Sequence, residues 1–373
     1  MKKYNFLIAA GGTGGHLFPA IAVVEELSKI SEEFSFYFTG RTDKIEGKVV
    51  QKLGYPFFPI EVEGLRKIFS LKNLLIPFKI LQSEIKLKKL IKREKISAVI
   101  ATGCYISYAP CVAAYKMGIP VFLLESNFNP GKSISMLAAK SDVLFTSFPE
   151  TEKFFENKTL KKIVYAGNPV RNLISNVISQ SDAKLKLGFN PEKKLVFVFG
   201  GSLGSKAIND TIEKIIPELE ANNIQLYWQT GSTYTGNNFE NNPNIVASTF
   251  IEDMVTAYSA ADLIVSRAGA STMSELAIAG KPSILIPLQI GINKEQEYNA
   301  RFFEKNGASI VVEQSTIQVS LLPTILDLLN NTAKTKEMEI CIRRFAKPEA
   351  GSFIANSIVE FLETDSNIKK NHK

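Results

Sequence analysis

Histidine and cysteine are scarce in these 373 residues: two histidines, one of them the penultimate His372, and three cysteines, Cys104, Cys111 and Cys341. No Cys-x-x-Cys pair or Cys/His zinc spacing occurs, so no metal site is expected. The same usage excludes a disulfide scaffold and fits a reducing cytoplasm. Long apolar runs are missing too. Met1-Lys2-Lys3 followed by Tyr4–Ala10 imitates a secretory signal, but Gly11-Gly12 cuts the run short, and it reads as a first β-strand. Ile96–Tyr115 holds twenty residues without a charge, yet Gly103, Pro110, two serines and three tyrosines divide it into strand, loop and helix. No membrane span is expected, and the chain reads as soluble or peripheral.

What is present is globular material, 45% hydrophobic and 22% charged. The length implies two domains of about 150–190 residues. The net charge of +7 is unevenly placed: Gly64–Lys95 carries ten Lys/Arg against two Glu, a local +8. A nucleic-acid binder would interleave such charges with stacking aromatics on a polar face. Here they alternate with Ile, Leu and Phe, which favours an anionic lipid surface over nucleic acid.

Apolar, β-rich runs recur with helix-like stretches between them. Strands are expected at Tyr4–Ala10, Phe34–Thr39, Ala98–Thr102, Val121–Glu125, Val143–Phe148 and Ile163–Ala166. In the second half they are expected at Leu195–Gly200, Gln225–Gln229, Ile245–Phe250, Leu263–Ser266, Ser283–Pro287 and Ser309–Val312. Near-continuous apolar strands alternating with helices imply parallel sheets covered on both faces. Both halves open with a strand, a glycine-rich turn and a helix: Phe6–Gly15 and Leu195–Gly204. The fold class is therefore α/β, with two doubly wound Rossmann-like domains and a ligand cleft between their carboxyl edges.

The first turn, Gly11-Gly12-Thr13-Gly14-Gly15-His16, precedes an expected helix Ala20–Ile30. Its amides suit a phosphate or a sugar oxygen. The dinucleotide fingerprint fails, because Leu17 replaces the third glycine and no acid follows Thr39 directly. An NAD enzyme is thereby set aside. His16, at a helix head, suits a neutral, base-competent imidazole, with a helix-capping histidine as the plainer reading. The second turn, Gly200–Ser205, lacks the lysine of a P-loop. Ala270-Ser271-Thr272-Met273-Ser274-Glu275 reads as a helix start, where Glu275 either completes a capping box with Thr272 or accepts both hydroxyls of a ribose. Gln296 and Asn299 share a helix face.

Taken with Asn168-Pro-Val-Arg171 and Phe250-Ile-Glu-Asp-Met254, these segments resemble, in order and spacing, the MurG family. These are the UDP-N-acetylglucosamine:lipid I N-acetylglucosaminyltransferases of peptidoglycan synthesis, hexosyltransferases of the GT-B type. The likeness covers about residues 5–310. It implies inverting transfer of N-acetylglucosamine from UDP-GlcNAc to the 4-hydroxyl of MurNAc in undecaprenyl-diphospho-MurNAc-pentapeptide, lipid I, without metal or cofactor. By position, Thr13, Gly14, Gly15, Tyr105 and Glu125 fall on the acceptor side, and Asn127 and Gln296 touch the donor sugar. Arg171 and Ser202 address the diphosphate, Ile251 offers backbone to the uracil, and Glu275 holds the ribose. His16 is the implied base and Glu125 the next in line. The family's His-Glu-Gln-Asn stands here as Leu124-Glu125-Ser126-Asn127, its Gly-Gly-Tyr loop as Gly103-Cys104-Tyr105, and Tyr108 replaces a small residue.

The expected organisation is an acceptor- and membrane-binding domain over 1–168, a UDP-sugar-binding domain over 169–345, and a C-terminal helix within 346–373 returning to the first. The expected location is the cytoplasmic face of the inner membrane, held peripherally on its anionic leaflet and in reach of other cell-wall synthesis proteins. The alternatives are a related transferase with another glycolipid or small-molecule acceptor, and an inactive UDP-sugar binder. Against the latter stands the joint presence of His16, Glu275 and Gln296.

Overall fold

The computed structural model describes residues 3–61, 76–156, 160–170, 178–201, 203–237, 239, 242–288 and 294–371, with backbone only at 76–81 and 365–371. The chain divides into two compact units, one of Met1–Arg171 with Pro348–Lys373 and one of Asn172–Lys347.

The first unit runs β1 (Asn5–Ala9), α1 (Gly14–Ile30), β2 (Ser35–Gly40), α2 (Ile45–Lys52), β3 (Phe57–Pro59), α3 (Ile76–Arg93), β4 (Ala98–Ala101), α4 (Tyr108–Lys116), β5 (Val121–Glu125), α5 (Lys132–Leu137), β6 (Val143–Thr146) and β7 (Ile163–Tyr165). The strands form one parallel sheet in the order β3-β2-β1-β4-β5-β6-β7. Successive side chains of a strand point to opposite faces. In β1, Phe6 and Ile8 therefore join a core with α1 and α2, while Leu7 and Ala9 join one with α3, α4 and α5. All four are fully buried, which is why this strand reads as unbroken apolar sequence.

Two expectations change here. The strand at Phe57–Pro59 escapes the reading because it is three residues long and ends in proline. Helix α1 begins at Gly14, six residues before the expected start. Glycine and Pro19 argue locally against helix, but Pro19 forfeits only one i→i−4 bond while Leu17, Ala20, Ile21 and Val24 bury their side chains.

The second unit continues with α6 (Gln180–Lys186), β8 (Lys194–Phe199), α7 (Lys206–Ala221), β9 (Ile224–Gln229), β10 (Ile245–Ser248), α8 (Met254–Ala260), β11 (Leu263–Ser266) and α9 (Ala270–Ala279). It closes with β12 (Ser283–Leu285), α10 (Glu295–Lys305), β13 (Ile310–Val311), α11 (Ile317–Asn330) and α12 (Thr332–Arg343). Its parallel sheet has the order β10-β9-β8-β11-β12-β13. Val196, Val198 and Trp228 pack on α7 and α11. On the other face Phe197 stacks on Tyr227 and meets the edge of Tyr258 from α8.

The last helix, α13 (Ala350–Asn371), belongs to the first unit. Ile354, Ala355, Ile358, Val359 and Leu362 recur at helical spacing and are buried in the core around α1, and Phe361 meets Phe122 edge-on at 5.4 Å. Ile358→Ala should therefore cost about 2–5 kcal/mol in denaturant unfolding of the first unit, as a cavity in a close-packed core does. An unchanged midpoint would mean that α13 contributes nothing to that core.

Candidate active site

In both sheets the strand order reverses beside the first strand of the unit, between β1 and β4 and between β8 and β11. Loops leaving those two strands run to opposite faces, which opens a crevice at the carboxyl edge. The two glycine turns sit at these points.

In the first unit His16 is the third residue of α1, and its Nδ1 lies 2.9 Å from the carbonyl oxygen of Thr102, just past β4. A carbonyl only accepts, so Nδ1 carries the hydrogen and Nε2 is the unprotonated nitrogen of the neutral ring. This bond ties the two loops of the crevice together.

Glu46, which the sequence did not single out, holds the turn from below. It is fully buried; Oε2 accepts the Gly12 N–H at 2.9 Å and Oε1 the Arg41 N–H at 3.0 Å. A Cβ on Gly11 would stand 2.5 Å from its carboxylate carbon, so the glycine makes room for the acid. Gly12 has φ +80°, and a Cβ there would meet the Tyr105 ring at 3.2 Å. Tyr105 thus covers the turn that carries Thr13, Gly14 and Gly15. Burial, then the charge of Glu46, raises its phenol above the ordinary value.

Glu125 ends β5 and is buried. Its Oε1 accepts the Asn127 N–H at 2.8 Å and lies 3.4 Å from Asn127 Nδ2, while Oε2 accepts the Gly131 N–H at 2.8 Å. These bonds tie the Glu125 carboxylate to the loop Asn127–Gly131. Asn127 is buried in that same loop.

In the second unit Gly200, Gly201, Gly204, Arg267, Thr272 and Gln296 line a cavity of about 1030 Å³. Gly204, at φ +81°, packs directly against the Thr230 carbonyl, so no side chain fits there. Gln229, the polar residue that ends the apolar strand β9, donates to the Gly201 carbonyl at 3.1 Å and accepts the Ile251 N–H at 2.9 Å. The Ile251 amide is therefore used within the protein, and its carbonyl is the backbone group it could offer a base. Arg267 reaches the end of the turn from β11: Nη2 meets Ser205 Oγ at 2.7 Å and Gln314 Oε1 at 2.6 Å, and Nη1 the Ile286 carbonyl at 2.9 Å.

Helix α9 starts at Ala270 with Gly269 as N-cap and no side-chain cap. Thr272 is thus inside the helix, and the capping box with Glu275 is not formed. Ser271 lies in the first turn, Ser274 bonds back to the Ala270 carbonyl at 3.3 Å, and Met273 is core. Gln296 and Asn299 also part company. Gln296 accepts the Leu288 N–H at 3.0 Å and faces the large cavity, whereas Asn299 is fully buried and braces the Ala268 carbonyl at 3.2 Å. Glu275 faces a separate cavity of about 260 Å³ with Tyr258, Lys281 and Arg343. Its Oε2 accepts from the Tyr258 hydroxyl at 2.7 Å. Burial raises its carboxyl to about 7, outweighing the opposite pull of that bond. Arg171 and Ser202 lie outside the described residues.

Residues 6–145 match the Glycosyltransferase family 28 N-terminal domain and residues 195–352 the Glycosyltransferase family 28 C-terminal domain. The UDP-N-acetylglucosamine--N-acetylmuramyl-(pentapeptide) pyrophosphoryl-undecaprenol N-acetylglucosamine transferase of Flavobacterium psychrophilum is 34% identical over 367 residues, 98% of this chain and 99% of that one. The protein of the same name from Listeria monocytogenes is 33% identical over 369 residues, 95% of this chain and 99% of that one. Among solved structures, Acinetobacter baumannii MurG matches with a TM-score of 0.78 at 28% identity, covering 96% of this chain and all of that one. A UDP-N-acetylglucosamine 2-epimerase, at 17% identity and TM-score 0.63 over 96% of each chain, shares the fold alone.

The raised carboxyl of Glu275 has a measurable consequence. The fold favours its protonated form, a contribution present in full below the unfolded value near 4.5 and lost as pH rises through about 7. The stability of Glu275→Gln relative to the unsubstituted protein should therefore grow between pH 5 and pH 8 in thermal unfolding. A pH-independent difference would show that Glu275 titrates normally.

Proposed function

The chain belongs to the family of UDP-N-acetylglucosamine--N-acetylmuramyl-(pentapeptide) pyrophosphoryl-undecaprenol N-acetylglucosamine transferases, and on that premise we propose that it moves N-acetylglucosamine from UDP-GlcNAc to the MurNAc 4-hydroxyl of lipid I, giving lipid II. The observation that carries the mechanism is the bond from His16 Nδ1 to the Thr102 carbonyl, which leaves Nε2 as the basic nitrogen. Nε2 takes the proton of the acceptor hydroxyl as its oxygen forms a bond to C1 of the donor sugar. The bond from C1 to the phosphate oxygen breaks, UDP leaves with the electron pair, and C1 inverts.

Charge gathering on the departing diphosphate is met by backbone N–H groups of the turn Gly200–Gly204 and the head of α9. Gln296 addresses the sugar and Glu275 the ribose; on the acceptor side, Glu46 and Glu125 position the loops that carry Thr13–His16 and Asn127. Arg171 and Ser202 are assigned to the diphosphate by their place in the sequence.

The acceptor is lipid-bound, and no described helix is long and apolar enough to cross a membrane. The basic segment supplies a peripheral contact instead. In α3, Leu87, Leu90 and Ile91 are core, while Lys86, Lys89, Lys92 and Arg93 are exposed with Ile85. Of the basic segment Gly64–Lys95, residues 64–75 lie outside the described residues. We assign this basic face to an anionic leaflet, each cation contributing about 1 kcal/mol near such a surface.

His16→Ala should lower transfer by about 10²–10⁴-fold while UDP affinity in calorimetry stays within a few-fold. Turnover that survives the substitution would place the base elsewhere. Replacing Lys86, Lys89 and Lys92 together by Glu should release the protein from anionic vesicles at physiological salt and spare transfer to a water-soluble acceptor analogue. Co-sedimentation that withstands both the substitutions and added salt would exclude this face.

A further inference from the structure

Arg267 is the residue of the second crevice that the transfer reaction leaves without a role. It follows β11 directly, so its side chain starts at the carboxyl edge of the sheet, and it lines the cavity of about 1030 Å³. All three groups that its guanidinium meets are neutral: Ser205 Oγ at 2.7 Å, Gln314 Oε1 at 2.6 Å and the Ile286 carbonyl at 2.9 Å. Among the described residues no carboxylate lies within ion-pair distance of it. The nearby charges are spoken for. Lys206 on the cavity wall pairs with Asp210 at 2.8 Å, and Glu313, next to Gln314, pairs with Arg301.

A half-buried cation without a counter-ion is expensive, and burial does pull its protonation below the ordinary arginine value. A neutral donor could brace three neutral acceptors at lower cost. The charge needs a reason, and a cavity that opens on it supplies one.

We infer that Arg267 holds an uncancelled positive charge over this cavity for the diphosphate of the nucleotide, and that Gln314, neutral where a carboxylate would fit, keeps that charge uncancelled. The inference rests on the UDP-sugar reading above. Arg267 is a positioning residue in this scheme: it acts through Ser205 on the glycine turn, and by its field on the anion. Ser205 is also the N-cap of α7, accepting the Ile208 N–H at 3.5 Å, so the same hydroxyl couples the arginine to the head of that helix.

Gln314→Glu is nearly isosteric and sets a carboxylate against Nη2, forming the ion pair that the protein lacks. The full-length protein is titrated with UDP and with uridine, by calorimetry and, for the weaker nucleoside, by ligand-observed NMR. The expected result is a thermal midpoint unchanged or raised, UDP affinity lowered about tenfold or more, and uridine affinity within twofold. Arg267→Gln, a second variant should the first fail to fold, is expected to show the same split between UDP and uridine. Equal UDP affinity in the variant and the unsubstituted protein overturns the assignment, and so does a parallel loss of UDP and uridine, which marks a distorted site. An unsubstituted protein that ignores UDP would overturn the donor reading itself.

Discussion

The reversal of strand order beside the first strand of each sheet is the constraint on which everything else in the two units turns. Neighbouring loops at that point leave for opposite faces. Each unit closes the gap with a side chain. His16 reaches the Thr102 carbonyl in one, and Arg267 reaches Ser205 and the Ile286 carbonyl in the other. Both bridges are cation-capable groups held on neutral oxygens. They differ in their surroundings: the histidine sits in the first turn of a helix, and the arginine meets no carboxylate among the described residues.

Buried carboxylates do the complementary work. Glu46 and Glu125 spend their oxygens on backbone N–H groups of loops that have no strand partner. An unpaired buried N–H costs about 1–3 kcal/mol, so an acid that satisfies two of them can hold a loop as firmly as a strand would. Glu275 is different. It accepts from a tyrosine hydroxyl, and burial leaves it close to a neutral form near pH 7.

Helix α3 has two chemically distinct faces. Helical spacing sends Leu87, Leu90 and Ile91 inward, and Glu84 takes Lys88 and Lys116 as ion-pair partners at 2.9 and 2.8 Å. The pair with Lys116 ties α3 to α4, and the pair within α3 engages Lys88. The cations that remain exposed lie on the solvent side of a helix whose orientation the core has already set.

The architecture was legible in the sequence. Apolar strands at regular spacing, two glycine turns after the first strand of each half, and the ordered motifs from Gly11 to Asn299 sufficed for tandem Rossmann-like units and for the family. Those features are local, and period and spacing report them directly. Gln229 and Arg267 left a trace as well, the first ending an apolar strand and the second following one, at the edge where ligands bind. Glu46 left none, because its partner Gly12 is 34 residues away, and only the pairing of β1 with β2 brings them together. The same holds for the separation of Gln296 from Asn299 and the start of α1 at Gly14. Each was decided by burial and by contacts between distant parts of the chain, which no local pattern encodes.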